Sequence, residues 1–96
     1  MVVEKWFSGK SFVELLDEMR CLATLARHDL TFSTKNRDYF DEFMSKFDEL
    51  KMSISDEKAW YFGHNTTAYD NFVAFDIELC RIKKNLIHNK PIYDIA

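Results

Sequence analysis

The sequence predicts an all-α fold: a compact antiparallel bundle of three long helices plus one short helix, as a single helical domain over residues 1–96. Three observations predict it. The chain holds only two Gly and one Pro, too few to supply the tight turns of a hairpin-rich sheet. Its apolar residues recur at three- and four-residue steps over long windows, which is the period of an amphipathic helix. Hydrophobic residues make up 47% of the chain and aromatic residues 16%, enough for a core and too apolar for a disordered segment.

After a short N-terminal arm, "SGKSFVELLDEMRCLATLARHDL" reads as the first helix. Ser11 and Glu14 have the spacing of a capping box. Phe12, Leu15, Met19, Leu22 and Ala26 then build one apolar face. "TFSTKN" is a loop, and "RDYFDEFMSKFDELKM" is the second helix, with Phe40, Phe43, Phe47 and Leu50 on one stripe. Its other face, Asp38, Asp41, Glu42, Lys46, Asp48 and Glu49, is charged and suited to water. "SISDEKAWYFGHN" is expected to be a short third helix, capped by Ser53 or Ser55 and closed by Gly63 in the left-handed conformation. The last helix is expected to start at "NTTAYDNF", where Thr67 and Asp70 repeat the capping spacing. It should end near Asn89, because Pro91 disfavours helical geometry in the residue before it.

Charge and cysteines bound the function classes. A net charge of -3 gives no global attraction to nucleic acid, so any such contact needs a local basic patch. Arg81, Lys83, Lys84 and Lys90 form the densest one. Cys21 and Cys80 stand alone, without C-x-x-C spacing, and are read as small buried apolar residues. "MVVEKWFSGK" lacks the apolar run of a signal peptide, and no stretch reaches the ~20 apolar residues of a membrane span. The expected setting is cytoplasmic and reducing, with no membrane partner. His28 and His64 have no metal-ligand spacing with each other or with either cysteine, so neither a metal nor another cofactor is expected. "WYFGHN" reads as core packing ahead of a turn rather than a base-stacking platform. "FSGKS" lacks the preceding Gly and the leading strand of a phosphate-binding loop.

The last helix is the most informative element. Phe72, Phe75, Leu79, Ile82 and Leu86 form its core stripe at about 100° per residue. Val73, Ile77, Cys80 and Ile87 form a second apolar strip beside it, so a homodimer that covers this strip is expected. Glu78, Arg81, Asn85 and His88 follow 3-4-3 spacing along a polar wall. An imidazole that titrates near neutrality can give or take a proton, and a guanidinium can grip a phosphate and stabilise developing charge. Asn85 would orient substrate or His88, and Glu78 would fix the guanidinium. RNA carries its own nucleophile in the 2′-OH, so this chemistry needs no metal.

"CRIKKNLIHNKPI" resembles the last-helix signature of HEPN domains (higher eukaryotes and prokaryotes nucleotide-binding), in which four to six residues stand between an Arg and a following His. Six residues separate Arg81 from His88, and Lys84 stands where the family often has an Arg. The resemblance covers about fifteen residues. It implies a helical bundle, a symmetric dimer with a cleft between last helices, and metal-independent RNA cleavage of a toxin or defence type. Arg81 and His88 would then be catalytic, with Asn85 and Glu78 supporting, and Lys83, Lys84 and Lys90 would contact RNA. The alternative belongs to another class: a non-catalytic interaction module, such as a phage-type inhibitor, antitoxin or regulator that docks on a larger protein complex. Its contact residues would be an exposed aromatic arm, Trp6 and Phe7, and the acids Asp41, Glu42 and Asp48. A third reading is a degenerate HEPN-like dimer kept only for binding.

Overall fold

The first helix begins where the capping spacing places it. In the computed structural model, which describes residues 6–7, 9–32 and 37–93, Ser11 Oγ accepts from the Glu14 N–H at 3.2 Å. The Glu14 carboxylate in turn accepts from the Ser11 N–H at 3.3 Å, which completes the box. Helix α1 then runs Phe12–Phe32, α2 runs Asp38–Tyr61 and α3 runs Thr66–Ile87, with no strand among the described residues. Cross-helix pairs give the directions. Glu18 pairs with Lys46 and Asp29 meets Tyr39, so α1 and α2 are antiparallel. Lys51 pairs with Asp76 and Tyr61 stacks on Phe72, so α2 and α3 are antiparallel too. Each helix packs against the other two.

The expected short third helix is the C-terminal part of α2. Ile54 is fully buried and extends the stripe of Phe43, Phe47 and Leu50 at four- and three-residue steps, so the core period runs straight through Ser53 and Ser55. Serine inside a helix costs about 0.5 kcal/mol, whereas burying an isoleucine is worth about 1.5–3 kcal/mol, and packing decides. Gly63 does close the helix, at φ +79°, while the Phe62 N–H bonds the Lys58 carbonyl at 3.0 Å. Helix α3 starts two residues earlier than the Thr67–Asp70 spacing indicates. Asn65 is the cap, its Oδ1 accepting from the Ala68 N–H at 3.1 Å. The helix also ends before Asn89, which takes φ 56° two residues ahead of Pro91.

The core is built from one stripe of each helix: Leu15, Met19, Ala23 and Ala26; Phe43, Phe47, Leu50 and Ile54; Phe75, Leu79, Ile82 and Leu86. Ile92 folds back onto it from beyond α3. Trp6 and Phe7 do not form an exposed arm. Both are half-buried against this core, and Trp6 meets the rings of Phe12, Phe72 and Phe75 edge-on at 5.0–5.8 Å. The aromatic end of the bundle gives an indole far more buried contact than water would. The two cysteines differ from expectation as well. Cys21 and Cys80 are both exposed, because each is rotated well off the apolar stripe of its helix. No helix among the described residues is long and apolar enough to cross a membrane.

Candidate functional site

Two arginines on one flank of α1 reach two positions on α3. Arg20 and Arg27 are seven residues apart, as are Glu78 and Asn85, and the two helices run parallel, so the spacings match. Arg20 Nη2 lies 3.8 Å from Glu78 Oε2, and Arg27 Nη2 donates to the Asn85 carbonyl at 2.7 Å. Arg27 also donates to the Lys90 carbonyl. Its guanidinium thus ties a carbonyl in the last turn of α3 to the chain that returns beyond the helix, at the negative end of the dipole. That return places Ile92 beside the polar wall.

The result is a small recess of about 80 Å³ lined by Arg20, Glu78, Arg81, Ile82, Asn85 and Ile92. Arg81 Nη1 lies 3.4 Å from Glu78 Oε1, so one carboxylate sits between two guanidiniums. Arg20 is also 3.4 Å from Asp17. The recess has room for two or three waters or a small anion. The ion pairs are partly exposed and screened, so an incoming anion competes with a weakly held Glu78 rather than a buried one.

His88 does not line this recess. It is the C-cap of α3, exposed, and its N–H bonds the Lys84 carbonyl at 2.9 Å. Asn85 does line it, while its backbone carbonyl is occupied by Arg27 and by the Lys90 N–H at 2.8 Å. The three lysines point apart. Lys83 stacks over the Phe47 ring at 4.5 Å, Lys84 lines a groove with Asp76, Ile77, Cys80 and Arg81, and Lys90 is exposed past the helix end. Among the described residues no three His, Cys, Asp or Glu side chains gather as a metal site would require.

No family model, curated protein or solved structure matches this chain. Its chemistry therefore has to be read from its own surface.

The outer face of α2 is the second candidate. Asp41, Glu42 and Asp48 are exposed there, with Asp38, Glu49 and Asp56. The lysines of the helix turn aside: Lys46 pairs with Glu18, and Lys51 and Lys58 both pair with Asp76. No exposed residue of α2 is a cation. Met52 and Trp60 share this face, and Phe62 follows the helix end with its ring against Tyr69 of α3. Met52, Trp60 and Phe62 are 72%, 63% and 70% exposed. Most of "WYFGHN" is thus a surface and not core packing. Only Tyr61 turns inward, stacked on Phe72, whereas Trp60 stacks on His64 at 5.2 Å and 8°. Met52, Trp60 and Phe62 were not legible as contact residues, because aromatic content signals a core until the neighbouring helices are placed. Arg20 and Arg27 could have been found from the seven-residue match between the two helices.

Proposed function

We propose that this chain is a non-catalytic helical interaction module, a small regulator or inhibitor that docks through the outer face of α2 on a basic surface of a larger protein. The observation that carries this reading is the pairing of exposed Met52, Trp60 and Phe62 with an acidic face that holds no exposed cation. Exposed aromatics beside a charged rim of one sign are what an interface core and its steering rim require. Tagged wild type and two variants test it: Trp60→Ala with Met52→Ser, and a triple reversal of Asp41, Glu42 and Asp48 to Lys. A partner retained by wild type and by His88→Ala, but lost by both variants, supports the reading. A partner retained by both variants ends it.

A second reading has one observation in its favour: Arg20 joins Arg81, Glu78 and Asn85 at one recess. In that reading the chain is a HEPN-like, metal-independent endoribonuclease or RNA-binding protein. Arg20 and Arg81 hold the phosphate, and His88, which lies outside the recess at the α3 C-cap, has to turn toward it to move the proton. Incubating wild type and His88→Ala with single-stranded RNA in EDTA tests it. Cleavage by wild type alone supports the enzyme, and intact RNA with both proteins counts against it.

A further inference from the structure

The solvent face of α3 carries a pattern that its core stripe does not need. Ile77 is 57% exposed at the middle of the helix. Seven residues before it stands Asp70 and seven after it Lys84, both exposed. Neither makes an ion pair within the chain among the described residues. Val73, Cys80 and Ile87 run alongside with the same seven-residue step, half-buried or exposed. A seven-residue repeat keeps one seam facing a partner helix, as in a two-stranded coil. An open groove of about 370 Å³ lies on this seam, lined by Asp76, Ile77, Cys80, Arg81 and Lys84.

The helix dipole accounts for an acid near the start of α3 and a base near its end. It does not account for an exposed isoleucine midway between them, or for the apolar line beside it. A two-fold axis through Ile77 accounts for the exposed isoleucine and for the spacing of the two charges about it. Two copies of α3 laid antiparallel about that axis set Ile77 against its own image. Asp70 then faces Lys84 of the partner subunit, and Lys84 faces Asp70 of the partner subunit. A self-complementary patch of this kind is what a closed dimer requires.

We propose that the outer face of α3 is a homodimer interface, with a second copy of this chain packed antiparallel about Ile77. The register separates the two His88 side chains by about 33 Å along the helix axis. It is therefore not a cleft that joins the Arg81 and His88 of both copies, and it rests on neither functional reading above.

Sedimentation velocity of the full chain over the micromolar to millimolar range tests the proposal. Wild type should rise with concentration from 11.4 kDa toward twice that mass. Ile77→Glu should stay at the monomer mass. Asp70→Lys alone and Lys84→Asp alone should each weaken association by roughly tenfold, because each sets like charges opposite each other twice. The combined swap should return it to within about threefold of wild type. Ile77→Cys, with Cys21 and Cys80 changed to Ser, should form a disulfide-linked dimer under mild oxidation. A wild type that is monomeric at every concentration overturns the proposal. So does a dimer indifferent to Ile77→Glu, or single-charge losses that the combined swap fails to restore. The substituted positions are exposed, and the restoring swap controls for misfolding.

Discussion

Asp29 lies near the end of α1, and its carboxylate accepts the Tyr39 N–H at the start of α2 at 2.9 Å. It is the one buried charged or polar residue among those described. Arg37, at the N-cap of α2, gives no side-chain cap, so Asp29 does this from another helix and meets the positive end of the dipole as it does so. Asp29→Ala should destabilise the fold by about 1–2 kcal/mol, a fall in Tm of about 5–15 °C. Asn at the same position should recover part of that loss in thermal unfolding followed by circular dichroism. Nothing local marked Asp29 for this role, because its partner is ten residues away on the next helix. Ser11 and Glu14 were legible for the opposite reason: their bonds close within one turn of helix.

At the level of elements, period and boundary behaved differently. The stripes of α1, α2 and α3 follow from apolar spacing, and the buried residues fall on them. The helix ends depended on competition between caps. Ser53 and Ser55 offered a start that the burial of Ile54 overrode, and Asn65 took the cap ahead of Thr67. Ile54→Ala should therefore cost about 2–5 kcal/mol and expose amides from Lys51 to Tyr61 to faster hydrogen exchange than those of α1. Gly63 is a different case. A Cβ there meets nothing within 4 Å, so only its φ of +79° opposes substitution. Gly63→Ala should cost about 1 kcal/mol in urea unfolding, without any change in the helical signal of the folded state.

For the whole molecule, ion pairs lash separate elements together. Glu18 on α1 takes both Lys10 from the arm and Lys46 from α2, and these lysines hold its carboxyl below the usual carboxylate range. Its folded pKa lies below the unfolded one, so this contribution is fully present above the ordinary carboxylate value and is lost as pH falls from there through the lowered folded value. Urea midpoints measured from neutral to acid pH should fall on acidification, and Glu18→Gln should flatten that fall while lowering stability at neutral pH. The sequence by itself determined the helical class, the three core stripes and the acidic outer face of α2, because each follows from residue type and a 3.6-residue period. Only the tertiary structure decided which polar side chains meet across helices. The pairing of Arg20 with Glu78, the hold of Arg27 on Asn85, and the burial of Trp6 while Trp60 stays exposed all depend on how one helix is rotated and shifted against another. That is set by the packing of the shared core, and no single segment contains it.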